Sequence, residues 1–221
     1  MSTSALSVIN EAALAVGDPQ FSRIARVEWR DLLNQSSRDL ARKLRLVLWT
    51  ATFDLAAASD EYALPADCIQ VKGMRWNDTP SDSTTWRKCD EWFEDEFNGA
   101  TDGSFSEGDP AHYFVRVDTF HLYPRPGTAI TGGGKIIYWG LPDDVTDEAT
   151  QVIPIMDMLR DSLRERMVIH GLRRLDRFDK AAAHEQEWQA SLTSDRDRLE
   201  DRSADRRSRI RTRPGNIFGQ T

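Results

Sequence analysis

The sequence predicts an α+β protein: a helical bundle built from both ends of the chain, a mostly antiparallel β region inserted between them, and an extended charged C-terminal tail. Three features of the 221 residues predict it. Apolar residues recur at helical spacing before residue 49 and again after Pro142, and between those points the spacing drops to two. After Leu192 apolar residues become sparse. The segments so defined are 1–48 and 143–193 for the bundle helices, 49–142 for the β region and 194–221 for the tail. The length suits one principal core.

Leu6, Ile9, Ala13 and Val16 lie on one face of a short helix that Gly17 ends. Asp18-Pro19 then reads as a cap and a first-position proline opening a second helical segment. Trp29, Leu33, Ser36, Leu40, Leu44 and Val47 form the stripe of a long amphipathic helix, with Ser36 marking a close helix crossing. At Trp49 the pattern changes: Trp49, Ala51, Phe53 and Leu55 alternate with Thr50, Thr52 and Asp54, as in a half-buried strand. Further strands are predicted at 62–64, 69–71, 113–117, 120–123 and 135–139, with a tight turn at Asp118-Thr119. Pro65 falls at a strand end or edge. The stretch 86–97 reads as a short acidic helix or an ordered loop. The connections are too short for parallel crossovers, so the sheet is expected to be mostly antiparallel.

Beyond Pro142, Val152, Met156, Leu159, Leu163 and Met167 form a helical stripe that Gly171 weakens or ends. Phe178, Ala181, Glu185, Trp188 and Leu192 form a second, wetter one. From Ser194 to Arg213 only Leu199, Ala204 and Ile210 are apolar, too few to offset the entropy of ordering this stretch alone. In isolation it reads as a frayed helix or a disordered tail. Pro214-Gly215-Asn216-Ile217-Phe218 ends it with a turn and two apolar residues, the composition of a docking peptide.

Several function classes are excluded by composition. The apolar stretches fall far short of the ~20 residues that span a bilayer, and Met1 to Gly17 lacks the basic region of a secretory signal, so no membrane partner is expected and the chain should remain in the cytoplasm where it is made. Cys68 and Cys89 are too few for a disulfide framework or a CxxC metal site. The net charge of −7, from 36 acids and 29 bases, is not the basic footprint of a nucleic-acid binder. The charges are unevenly distributed: Cys89 to Asp109 holds eight acids and no base, the composition of a solvated face, whereas Arg206 to Arg213 holds five arginines and no acid.

The sequence predicts no enzyme, no cofactor and no metal. Gly132-Gly133-Gly134-Lys135 fails as a phosphate loop: Ala129 stands where that motif needs glycine, Ile136 where it needs Ser or Thr, and a strand follows instead of a helix. A flexible hairpin loop is the reading there. His112, His121, His170 and His184 are scattered, none is spaced as a metal ligand with another His or a Cys, and no HExxH or GxSxG occurs. Trp29, Trp49 and Trp188 fall on apolar stripes and read as core. Trp76, Trp86 and Trp92 fall near the β-region loops, where they read as surface aromatics in a monomer and as interface anchors in an assembly.

Four spaced signatures in the β region carry further information: Tyr62-x-Leu64-Pro65-x-Asp67, Gly108-Asp109-Pro110-x-x-Tyr113, Leu122-Tyr123-Pro124-x-Pro126 and Tyr138-Trp139-Gly140-Leu141-Pro142. In this order, with helices before and after, they resemble the head-to-tail adaptor (connector) proteins of tailed bacteriophages over residues 3–175. The resemblance implies a structural virion protein of the neck, made in the host cytoplasm, which forms a ring of about twelve copies joining the portal to the tail and continuing the DNA channel. The partners it implies are the portal ring, copies of the same chain, downstream nozzle or tube proteins, and double-stranded DNA passing without sequence-specific binding. It assigns portal binding to the extension, through Arg206, Arg207, Arg209, Arg211, Arg213, Ile217 and Phe218, and tail contact to the β-region loops, with Trp76, Trp86, Trp92, Asp102 and Glu107. Other readings stay open: a head-completion or tail-tube protein, which would be β-dominated with no helical bundle, and a DNA-binding module using the arginine arm.

Overall fold

A computed structural model describes residues 3–82, 84–100, 106–153 and 155–211, with side chains through Leu199. Among the described residues the chain is α+β, with five α-helices and a large, mostly antiparallel sheet. It divides into two units, one of residues 1–39 with 143–221 and one of residues 40–142.

The first unit is helical. Helix α1 (Ala5–Val16) buries Val8, Ile9, Ala12, Ala13 and Val16 and ends at left-handed Gly17. Asp18 does not start a helix. Its buried carboxylate accepts the N–H groups of Ser22, Arg23 and Ile24 at 2.8, 3.1 and 3.0 Å, and Phe21 has φ +55, which breaks helical continuation. Burial by itself would raise the Asp18 pKa, but the bonds from Ile24, Ser22 and Arg23 hold it below its ordinary value. Helix α2 (Arg26–Leu44) therefore begins at Arg26, where Glu28 accepts the Ala25 N–H at 3.1 Å as in a capping box.

The stripe expected from Val152 is not helical at its start. Gln151 accepts the N–H groups of Thr146 and Asp147, Val152 bridges Ser4 in antiparallel fashion, and Val152 and Met156 are about half exposed. Helix begins only after a 3-10 turn (Asp157–Leu159), as α4 (Arg160–Arg174). Gly171 does not end it. A Cβ there would lie 2.6 Å from Cη2 of Trp29, so the glycine makes room for a fully buried indole. Helix α5 (Phe178–Arg211) is a single element of 34 residues.

The second unit holds a seven-stranded sheet in the order β1-β9-β3-β4-β6-β7-β2. Its strands are β1 (Val47–Leu55), β2 (Glu61–Ala63), β3 (Cys68–Trp76), β4 (Arg87–Glu91), β6 (His112–Arg116), β7 (Thr119–Tyr123) and β9 (Ile130–Gly140); β5 (Glu107–Gly108) and β8 (Arg125–Pro126) form a small second pair. All seven pair antiparallel except β4 with β6, which run parallel. In β1 the predicted alternation holds, with Trp49, Ala51, Phe53 and Leu55 on the less exposed face. The stretch 86–97 is a strand followed by α3 (Glu94–Ala100), and the turn between β6 and β7 falls at Val117-Asp118, one residue earlier than the sequence reading.

The glycine run is not a hairpin loop but part of β9. Gly132 has φ +66 and donates its N–H to Asp54 at 2.6 Å, where the β1–β9 register shifts between Phe53 and Leu55. Gly134 lies opposite Phe53, and a Cβ there would be 2.2 Å from the phenyl ring. Leu55, Val71, Met74, Tyr113, Phe120 and Ile136 belong to the core of this unit.

Candidate partner-docking surfaces

The base of α5 is fastened to α4 by its own side chains. Trp188 is fully buried, donates its indole N–H to the Ser162 carbonyl at 3.0 Å and lies beneath the Arg166 guanidinium, 4.5 Å from the ring centre. Arg166 in turn bonds Glu185 at 2.7 Å, and two helical turns past Trp188 the buried Asp195 accepts the Ser162 hydroxyl. Ser162 lies in the first turn of α4, so α5 runs on for residues 196–211 beyond this anchor, about 24 Å of helix at 1.5 Å per residue. Arg206, Arg207, Arg209 and Arg211 fall on this backbone, though their side chains are outside the described set; Arg213, Ile217 and Phe218 lie outside the described residues.

In the β unit the three tryptophans assigned to loops are packed against the sheet. Trp76 is 4% exposed, at the end of β3, with the Arg87 guanidinium 4.8 Å above its ring. Trp86 lies under the Lys135 ammonium at 3.8 Å, and Trp92 stacks on His112 at 3.8 Å and on Tyr123 at 5.5 Å. Trp86 and Trp92 keep partly exposed faces, whereas Trp76 does not. Glu107 is exposed and pairs through its backbone with Arg125; Asp102 lies outside the described residues. Three acids of the acidic run, Glu94, Asp95 and Glu96, occupy the first turn of α3, where the helix dipole favours them. Others are paired: Asp90 with Lys88 at 2.7 Å and Asp109 with Arg87 at 2.8 Å.

Some groups with reactive potential are held in unreactive states. Burial pushes the Cys89 thiol up to about 12 and raises Cys68 as well, so neither is a ready thiolate. A cleft of about 430 Å³ is lined by Leu55, Trp76, Pro110 and Ile130, and its two carboxylates, Asp78 and Asp109, both face Arg87. A different constellation lies between α4 and α5: ligand atoms of Glu165, His184 and Glu187 fall within 4.8 Å of one another. The sequence reading missed it because it sought His–His and His–Cys spacings; the signal was a His-x-x-Glu pair on one helix with a glutamate on the next. Among the described residues, no helix is long and apolar enough to cross a membrane.

The SU10 adaptor protein family matches residues 3–215, nearly the whole chain. The chain belongs to the SU10 adaptor family. It is thus a bacteriophage structural protein of the adaptor kind, and the resemblance read from the four β-region signatures points the same way. No curated protein matches the chain.

In this SU10 adaptor the four signatures pair in space. The first meets the fourth: the Asp67 carboxylate accepts the Tyr138 hydroxyl at 3.0 and 3.2 Å, and the Asp67 carbonyl accepts the Leu141 N–H at 2.9 Å. The second meets the third: Gly108 pairs with Pro126, and the Ala111 N–H bonds the Tyr123 carbonyl at 3.0 Å. These adaptor signatures are therefore the clasps of the sheet unit, and their residue types follow from strand ends that need turns, a tyrosine donor and a carboxylate acceptor.

Proposed function

We propose that this chain is a head-to-tail adaptor whose copies form a ring of about twelve between the portal and the tail, with the DNA channel running through it. Membership of the SU10 adaptor family supports the reading at its coarse level. The observation that carries the finer reading is α5, fixed at its base by Trp188 and Asp195 and continuing to Arg211 into an arginine-rich, apolar-tipped end. Such an arm suits a carboxylate-lined, partly apolar site on a portal ring: Arg206, Arg207, Arg209, Arg211 and Arg213 supply salt-sensitive attraction, and Ile217 and Phe218 fill a pocket. Burial of those two side chains contributes on the order of 3–6 kcal/mol before ordering costs. They govern residence time, and the arginines govern the on-rate.

The β unit supplies the tail-facing surface in this reading, through the loops near Trp86, Trp92, Asp102 and Glu107; Trp76 acts from beneath as support. Twelve copies at −7 each carry about −84, a field that disfavours sticking of DNA phosphates in the channel. The chain assembles in the host cytoplasm and ends in the virion neck. The helices weigh against a β-dominated head-completion or tail-tube protein. The test is truncation after Ala204, assayed by binding to purified portal rings. The shortened chain should remain folded, because Trp188, Leu192 and Asp195 are kept, and should lose stable binding. Unchanged affinity would move the portal contact to another surface.

A further inference from the structure

The Glu165, His184 and Glu187 cluster differs in its electrostatics from the carboxylates around it. Several other acids of the helical unit are neutralised by arginine: Glu185 by Arg166 at 2.7 Å and Arg173 at 3.1 Å, Glu148 by Arg26 at 3.0 Å, Glu28 by Arg174 at 2.8 Å, and Glu11 by Arg160. Glu165 has only the His184 imidazole, which contacts it through Nδ1, and Glu187 has no hydrogen bond or ion pair among the described residues. Two carboxylates thus converge on one imidazole, and among the described residues neither is ion-paired with an arginine or lysine. His184 and Glu187 are three residues apart on α5 and so share a face, and Glu165 meets them from α4.

We propose that these three residues bind a divalent transition-metal ion of the Zn²⁺ class, which ties α5 to α4. One imidazole nitrogen with two carboxylate oxygens suits Zn²⁺ and its neighbours; Mg²⁺ and Ca²⁺ prefer all-oxygen shells, and a thiolate-free set does not select Cu(I). Three protein ligands leave a fourth tetrahedral position for water. Ligand atoms around tetrahedral Zn²⁺ lie roughly 3.3–3.5 Å apart, from bonds of about 2.0–2.2 Å. Side-chain rotation of the exposed Glu187, and a small separation of His184 from Glu165, bring the ligand atoms to that spacing, and the ion takes the place of the direct His184–Glu165 contact. Its dipositive charge balances both carboxylates and braces the base of the long helix.

The test uses the full chain, stripped with EDTA, dialysed, and titrated calorimetrically with ZnCl₂ and separately with MgCl₂. One Zn²⁺ should bind per chain, with a melting temperature that rises with Zn²⁺ and not with Mg²⁺. Co²⁺ should give the visible absorption of a four-coordinate site. Glu187→Gln, on an exposed residue that no fold contact requires, should weaken Zn²⁺ binding at least about tenfold, and His184→Gln should weaken it further. Absence of Zn²⁺ binding to the intact chain, or binding unaltered in both variants, overturns the proposal and leaves the cluster as a hydrogen-bonded pair beside a solvated glutamate.

Discussion

Tyr138 donates its hydroxyl to the Asp67 carboxylate, 3.0 Å from Oδ1 and 3.2 Å from Oδ2, and so joins β9 to the turn that precedes β3. Burial, with Asp67 as acceptor, pushes Tyr138 up to about 12, so the phenol stays protonated as the donor across the neutral range. Tyr138→Phe removes the donor and leaves a partly buried carboxylate short of a partner. It should cost about 1–2 kcal/mol, read as a lower urea midpoint with an unchanged slope. Asp67→Asn, which keeps an acceptor, should cost less.

Gly134 is required by Phe53. Gly134→Ala places a methyl group inside the ring's volume, with contact at 2.2 Å from the built Cβ, and should destabilise the protein by about 3 kcal/mol or more, at the upper end of overpacking effects. Pairing it with Phe53→Leu should recover part of the loss. Thermal unfolding of the single and double variants reads the coupling.

Asp39 predicts the acid behaviour of the helical unit. Burial would raise its pKa, but bonds from His170 at 3.2 Å and Arg166 at 2.8 Å hold it at about 2, below the ordinary 3.8. A carboxylate lowered on folding stabilises above its unfolded pKa, and that contribution is lost as the pH falls from about 4 through about 2. Unfolding titrations of Asp39→Asn should therefore be flatter than wild type across this window and lower in stability above it. Identical slopes would show that Asp39 carries no linkage.

Much of the fold was legible in the sequence because single-face periodicity reports burial directly. The Ile9–Val16 and Trp29–Leu40 stripes, and the Trp49–Leu55 alternation, each matched a surface that is covered. The failures occurred where a distant partner set the local structure. Gly171 reads as a helix breaker until Trp29 is seen against it, and Gly132 to Gly134 read as a loop until Phe53 and Asp54 are placed opposite. Val152 and Met156 keep helical spacing, yet their segment pairs with Ser4. The four β-region signatures were visible as motifs, but the sequence gives no sign that the first clasps the fourth and the second the third. The sequence reading set Arg206, Arg207, Arg209 and Arg211 in a tail apart from the second stripe, whereas they lie on the continuous backbone of α5, and it did not reveal the burial of Trp76.

The central claim is that this chain is an adaptor that assembles on a portal platform, and the most direct measurement is the mass of the purified protein alone and mixed with portal rings. The account predicts a monomer alone, and with the rings a complex that gains about twelve copies, at ratios that fall as salt rises. A portal ring that gains no mass, or a stable ring of the chain at micromolar concentration with no platform present, would contradict it.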